Sequence, residues 1–343
     1  MTTQLDSSIG IKKESTYGTA VTVDHFPEFL SENLDWKPSY MVGKGLRPGS
    51  RVSRQERRIL GKNWVEGDIE IEACTRGIGI FWEALMGAAT STMIAAGPAY
   101  QHVYTLTNTD PIPTYTIQKG IPLLGGGAVQ PHTFAGMACT KGSINLPEGD
   151  VVKLRTSWNG KSVDTVTAYA APSFIVTGQE LFTYWQAVMT LGGTVVQPTG
   201  TALASGGTVV NNIRNFSMDI DNKLDTNGFT FGSGGKQGRR PALGYTEISG
   251  KFTAEFDATT YRDLFIANTA VPLTLTLTTP TLLQTGVYNT LQIVLPSVKL
   301  DGEIPKAVTD GVVTLDIGFT ALDGGTVGVA PVTVVVRCQD TAP

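Results

Sequence analysis

Charge is scarce in this chain. Asp, Glu, Lys and Arg make up only 16% of its 343 residues, against about 25% in an average soluble domain. A free monomer usually shows water more charge than this, so the deficit points to a surface covered by neighbours. Long apolar runs are also missing. No stretch approaches the roughly 18 apolar residues of a membrane-spanning helix, so no membrane association is expected. Residues 1–10 are polar and lack the basic-then-apolar order of a secretion signal. Cysteine is limited to Cys74, Cys139 and Cys338, an odd and scattered set. Buried thiols in a reducing compartment are therefore the default, with Cys74 and Cys139 as small apolar groups in strands. These features place the protein in the cytoplasm, or in a particle assembled there. The net charge of −4 and a pI near 5.5 argue against a protein that coats nucleic acid, though not against a local basic patch.

Recognisable site chemistry is equally thin. His25, His102 and His132 fall in separate segments and do not form a metal-ligand spacing. The glycine runs Gly125–Gly127 and Gly232–Gly235 do not lead into a helix opening with Lys-Ser or Lys-Thr, so no phosphate loop is expected. GxSxG is absent, and no Ser/His/Asp or Cys/His set declares itself. No catalytic, cofactor-binding or metal-binding residue is assigned, and the chain reads as a non-enzyme. Trp82, Trp158 and Trp185 read as core or interface residues.

What the chain has in quantity is glycine and β-branched residues, which suit strands and turns. Its length fits about two domains, and an internal repeat supports that number. Val65–Gly87 and Tyr245–Asn268 align without a gap when Gly67 is set on Gly250. Ile69 then meets Phe252, Glu72 meets Glu255, Phe81 meets Leu264 and Trp82 meets Phe265. Each copy is an alternating strand running into a short amphipathic helix. GDVVKL at Gly149–Leu154 corresponds to DGVVTL at Asp310–Leu315. The expected organisation is an N-terminal arm or edge strand over residues 1–24, a first domain over 25–191, a linker over 192–209 and a second domain over 210–343. The first strand is expected over Phe26–Tyr40 and a helix over Ile78–Met86. Ala88–Ala99 reads as a loop, and Phe174–Leu191 as β-type chain.

Two loops stand out. Gly43–Lys62 carries Lys44, Arg47, Arg51, Arg54, Arg57, Arg58 and Lys62 against the single acid Glu56. Too polar to pack, it is expected to project from the fold. Gly232–Arg240 is its counterpart, with Lys236, Arg239 and Arg240. The first loop could be an arm pairing with carboxylates on another molecule, a DNA contact or a solvated segment. Between loop and helix, Glu66, Asp68, Glu70 and Glu72 alternate with Ile69 and Ile71, placing four carboxylates on one sheet face. Asp219, Asp221, Glu247 and Glu255 are the acids of the second copy.

ESTYGTA at Glu14–Ala20 and HFPEFLSENLDW at His25–Trp36 resemble the opening of major tail tube proteins of long-tailed bacteriophages. VMTLGGTVV at Val188–Val196 and IRNFSMDIDNKLD at Ile213–Asp225 extend the resemblance across roughly Glu14–Leu322. It implies an all-β fold of two tandem tail-tube-type β-sandwich domains, each flanked by one short α-helix. It also implies that sheets of neighbouring subunits join into an intersubunit β-barrel. The tandem version implies trimeric, pseudo-hexameric rings that stack into a tube for double-stranded DNA, which passes without specific binding. On that reading the ten basic loop residues are inter-ring contacts. Glu66, Asp68, Glu70, Glu72, Glu247 and Glu255 are candidate channel-facing acids. The implied partners are other copies of the chain, a tape-measure protein and the terminator and distal proteins of the tail. The implied location is the virion tail, assembled in the host cytoplasm. The alternative is a carbohydrate- or receptor-binding β-sandwich of a tail tip or adhesin. A glycosidase on a β-scaffold would need a pair of carboxylates in a cleft, which the sequence does not identify.

Overall fold

The computed structural model describes residues 6–124, 128–302, 304–306 and 311–343. Its first half contains β1 (Ser8–Lys13), β2 (Ser31–Glu32), β3 (Asp35–Val42), β4 (Arg58–Glu72), α1 (Gly79–Met86), β5 (Gly87–Met93), β6 (Tyr100–Leu106), β7 (Tyr115–Pro122), β8 (Val129–Leu146), β9 (Lys153–Gly160) and β10 (Ser162–Asp164). The second half contains β11 (Ala187–Leu191), the short β12 (Val195–Val196), β13 (Ser205–Gly206) and β14 (Val209–Val210), then β15 (Ile213–Asp221), β16 (Glu247–Glu255), α2 (Thr260–Ala267), β17 (Val271–Gln284), β18 (Val287–Asp301), β19 (Thr314–Ala321) and β20 (Thr333–Cys338). The protein is all-β, with antiparallel sheets and two short α-helices among the described residues.

Alternation explains the main sheet. In β4, Val65, Ile69 and Ile71 are buried while Glu66, Asp68, Glu70 and Glu72 face away from the core. The same alternation buries Phe216, Met218 and Ile220 of β15, and Ile248, Phe252 and Ala254 of β16. Antiparallel pairing then gives one continuous order, β3–β4–β9–β8–β15–β16–β19–β18. The first four strands come from the first half and the last four from the second. The halves meet where β8 pairs with β15, Lys141 opposite Asp221 and Leu146 opposite Phe216.

β8 and β18 are long because each serves two layers. The start of β8 pairs with β7, which also holds β1. The start of β18 pairs with β17, which also holds β11. The core lies between the layers. In the first half Phe81 and Tyr115 stand edge-on to Trp158, at centroid distances of 6.4 and 5.8 Å. In the second, Phe216 and Phe252 pack on Phe319 at 5.7 and 6.3 Å. The hairpin β5–β6 is extra to the first half, and β20 ties it to the second by pairing with both β6 and β18. Among the described residues no barrel closes within the chain.

The repeat holds through the strands and breaks before the helices. Gly67 lies opposite Trp158, and Gly250 opposite Phe319. Glu72 lies opposite Lys153, and Glu255 opposite Thr314, so GDVVKL and the described part of DGVVTL do correspond; Asp310 is outside the described residues. Residues 73–78 precede α1 but only residues 256–259 precede α2. The gapless alignment therefore fails at the helix. Both helices end on a left-handed residue, Gly87 (φ 83°) and Asn268 (φ 48°). Matching these ends sets Phe81 on Arg262 and Trp82 on Asp263, rather than on Leu264 and Phe265. Packing differs accordingly. α1 buries Ile80, Phe81, Trp82, Ala84, Leu85 and Met86, whereas α2 buries only Tyr261.

Other expectations need correction. The region expected as a loop over residues 88–99 begins with β5, because its Ala and Thr residues pair with β6. Of Phe174–Leu191 only Ala187–Leu191 is a strand, the part that β17 can reach. The basic loop is shorter than expected, since β3 runs to Val42 and β4 starts at Arg58. The strand expected over Phe26–Tyr40 begins only at Ser31 and is interrupted at Asn33–Leu34. There the chain crosses Gly67, where a side chain would strike the backbone of both residues. The run Gly125–Gly127 is outside the described residues. The N-terminal segment contributes β1, whose Ile9 and Ile11 are fully buried.

Candidate functional site: a charged sheet face and a basic hairpin

The face of the main sheet turned from the core is polar across both halves. Glu66, Asp68, Glu70 and Glu72 of β4 stand beside Lys153, Arg155 and Ser157 of β9. Lys141, Ser143 and Asn145 of β8 continue the face into Ser217, Asp219 and Asp221 of β15. Glu247, Ser249, Lys251, Thr253 and Glu255 of β16 and Thr314, Asp316 and Thr320 of β19 complete it. The structure thus brings the six acids singled out from the sequence onto one surface. Cross-strand bonds tie it together. Arg155 lies 2.6 Å from Asp68, Lys141 3.7 Å from Asp219, and Arg214 2.5 Å from Glu255. Lys223 reaches Asp221 at 3.0 Å and Glu247 at 3.1 Å. Acids outnumber bases on this face.

Local bonding sets the charge states. Burial raises the Asp68 carboxyl, but hydrogen bonds from Ser157 and Arg155 outweigh it and hold the group below its ordinary value. Asp221 is lowered in the same way, against burial, by the Lys223 backbone and side chain. The Lys223 ammonium is raised by its bonds to Asp221 and Glu247.

At one end of the sheet β3 and β4 run on as a hairpin whose tip, residues 43–57, is exposed. Lys44, Arg47, Arg51, Arg54 and Arg57 lie on this tip, while Arg58 and Lys62 belong to β4. Arg58 stacks 3.8 Å above the Tyr40 ring, which braces the hairpin stem. Arg54 pairs with Glu56 at 3.3 Å, a surface contact of small energetic weight. Exposed Met41, Leu46, Val52 and Ile59 sit among these bases.

The second basic loop lies at the same end but folds down. Its Gly235 carbonyl accepts the Asn63 amide at 2.8 Å, and its Gln237 donates to Asn159 at 2.7 Å. Phe229 meets Trp64 edge-on and lies 4.8 Å from the Lys62 ammonium. Arg239 pairs with Asp225 at 2.5 Å, and Arg240 donates to the Ile112 carbonyl at 3.1 Å. Lys236 is exposed. The two loops therefore touch at the hairpin root, and the first alone projects. The opposite end of the sheet carries exposed Glu148 and Asp150 in the β8–β9 turn, Asp150 paired with Lys153 at 3.1 Å, and exposed Asp257 after β16.

The histidines are dispersed. His25 bonds to the Gly77 carbonyl at 2.7 Å. His102 lies between Ser91 Oγ at 2.7 Å and the Asp340 carbonyl at 2.9 Å. That trio has the residue types of a catalytic triad but different geometry. The Asp340 carboxylate is engaged by Arg76 and the Gly77 amide, both at 2.8 Å, and the His102 ring is buried, which lowers its pKa. The arrangement clamps the chain after β20 against the first half. Among the described residues no His, Cys, Asp or Glu group is placed to hold a metal ion, and no helix is long and apolar enough to cross a membrane. Cys139 and Cys338 are buried, and Cys74 is partly covered. Trp82 and Trp158 are buried core residues; Trp185 is 81% exposed and isolated from them.

The sequence reading missed two features. Glu14 is a buried carboxylate that accepts from the Gly18 and Gly136 amides and the Thr114 and Thr116 hydroxyls, at 2.8–3.0 Å. Only the spacing of Glu14 and Gly18 within ESTYGTA hinted at a local turn. The β8–β15 joint had no local signal at all. A family model described as phage tail tube protein matches residues 4–321. No curated protein matches the chain.

Proposed function

This chain belongs to the phage tail tube protein family, and on that premise we propose how its sheet and loops build the tube. The protein is a structural component of the virion tail. The continuous sheet of two equivalent four-strand halves is the observation that carries the reading. Such a sheet, open at both ends, is a segment of wall. Three copies joined edge to edge would give a closed barrel with pseudo-sixfold symmetry, and closure would remove the exposed edges. We assign the two tube units to residues 25–191 and 210–343, with β1 from the preceding segment added to the first and β11, from the end of the first, added to the second.

The charged face lines the channel in this arrangement. The core side is covered by the second layer and cannot face the lumen. A net-acidic lining repels phosphates and lets double-stranded DNA slide, whereas a basic one would retain it through counterion release. Rings stack by the basic hairpin. Lys44, Arg47, Arg51, Arg54 and Arg57 reach the next ring, where the end with Glu148, Asp150 and Asp257 is the complementary surface. Lys62, Lys236, Arg239 and Arg240 support the hairpin root. No catalytic role is assigned to any residue. A tape-measure protein inside the tube and terminator and distal proteins at its ends are the remaining partners.

Negative-stain electron microscopy of the purified chain, with end-on views classified for symmetry, tests the reading. Rings or tubes with threefold or pseudo-sixfold symmetry are expected. A chain that remains monomeric at high concentration, even with tail-initiating proteins added, would overturn it.

A further inference from the structure

The joint between the halves is made inside the chain, yet among the described residues the outer edges of β3 and of Lys299–Asp301 in β18 pair with no further strand. We propose that the β3 end of one copy and the β18 end of the next form a second joint with the register of the β8–β15 joint, and that Gly302 and Ile304 become part of it only on assembly. This rests on the tube reading and names the edges that close the ring.

The repeat supplies the register. Gly67 and Gly250 are equivalent, so Leu34, which crosses Gly67, corresponds to Met218, which pairs with Gly250. Trp36 and Lys37 then correspond to Ile220 and Asp221. On the other side, Trp158 and Phe319 are equivalent, which matches Lys141, Gly142 and Ile144 of β8 to Asp301, Gly302 and Ile304. The Gly-x-Ile spacing recurs in the sequence. Both glycines also lie under the helix of their own half. A side chain on Gly142 would strike Leu85 of α1, and one on Gly302 would come into contact with Phe265 of α2. In the internal joint Met218 pairs with Ile144, Ile220 with Gly142 and Asp221 with Lys141. Transferred between copies, Leu34 pairs with Ile304, Trp36 with Gly302 and Lys37 with Asp301. The outermost pair keeps opposite charges with the signs exchanged.

Backbone phase agrees. The Asn222 amide donates across the internal joint to Thr140, so alternate residues Ile220 and Met218 also point their backbone groups at β8. In the first half the Asn33 amide donates to Asp68 of β4, so Leu34 and Trp36 point outward. Those outward groups are the ones the joint needs, and side chains occupy them in the single chain. Glu32 accepts the Leu34 amide at 2.9 Å, Lys119 donates to the Leu34 carbonyl at 2.7 Å, and Asp35 accepts the Trp36 amide at 2.8 Å. They protect an edge strand until a partner displaces them. The receiving side is incomplete in a matching way. Lys153–Ser157 of β9 pair on both sides, whereas among the described residues Thr314–Ile317 of β19 pair only with β16. Gly302 and residues 304–306 have no strand structure.

The full-length chain carrying Lys37→Cys and Asp301→Cys, assembled and then oxidised, tests the register. The two positions form a directly opposed pair without mutual backbone bonds, close enough for a disulfide. Non-reducing gels should show bonds between copies, with a ladder ending at the ring size, and none in either single variant. Ile304→Pro removes the donor aimed at Leu34. It should leave a monomer with unchanged circular dichroism and abolish rings. Tubes that form normally without cross-linking, together with Ile304→Pro tubes of normal yield, would overturn the proposed edges and leave the tube reading standing. A wild-type chain that makes no rings even with tail-initiating proteins would remove both.

Discussion

Glu14 shows how one residue can organise a distant region. Its carboxylate gathers the turn at Gly18, the β7 strand through Thr116 and the bend at Gly136. Gly18 (φ 68°) and Gly136 (φ 71°) adopt the left-handed conformation at the bonded amides. Replacing Glu14 by Ala would strand several buried donors, at a cost on the order of 3 kcal/mol. A fall in the urea midpoint with an unchanged slope is expected, and an unaltered midpoint would contradict the network. Asp68 is a second residue with a defined signature. Its folded pKa lies below the ordinary value of about 3.9, so its contribution is fully present above that pH and is lost as pH falls through the folded value. Asp68→Asn should cost about 0.2–1 kcal/mol at neutral pH and flatten the acid limb of a stability–pH curve below about pH 4. An acid limb identical to wild type would rule out the ionised, Arg155-bonded state.

At the scale of the element, the β3–β4 hairpin is stiff at its stem and bare at its tip. Arg58 belongs to the stem because its guanidinium covers Tyr40, so it should be kept in any test of the tip. Replacing Arg47, Arg51, Arg54 and Arg57 with Ser should leave the monomer's thermal midpoint within about 1 °C, because exposed charges contribute little to folding. Tubes of that variant should be shorter and should dissociate at lower salt. Tubes of normal length and salt resistance would dismiss the hairpin as an inter-ring arm. The two helices illustrate how equal topology can carry unequal packing. α1 is held by six buried side chains, whereas α2 leaves Ile266 64% exposed. The shorter connection before α2 turns its apolar residues differently, and that change was invisible to alignment by residue type.

At the scale of the molecule, the internal β8–β15 joint makes the two four-strand halves one continuous sheet. The lumen assignment has its own test. Changing Glu66, Glu70 and Glu72 to Lys should preserve tubes, since these residues face away from the core, but should slow DNA passage most strongly at low salt. Ejection rates measured on virions containing the variant should show that dependence. Wild-type rates at every salt concentration would place this face elsewhere than on the channel.

The class, the strand faces and the repeat are legible in the residues alone. Alternation in β4 and β15 and the helical spacing over Ile78–Met86 are local periodicities, written within a few residues of one another. The residues also mark the acids and the basic loop, because charge on a strand face or a polar loop has few other places to go. Three features come from packing alone: β8 pairs with β15, β20 bridges the halves and the second basic loop lies down on Asn63 and Asn159. Those contacts join segments far apart in the chain, and backbone pairing leaves no residue pattern that names its partner. Packing also makes the alignment slip before the helices, because the length of a connection is judged by where its ends must pack.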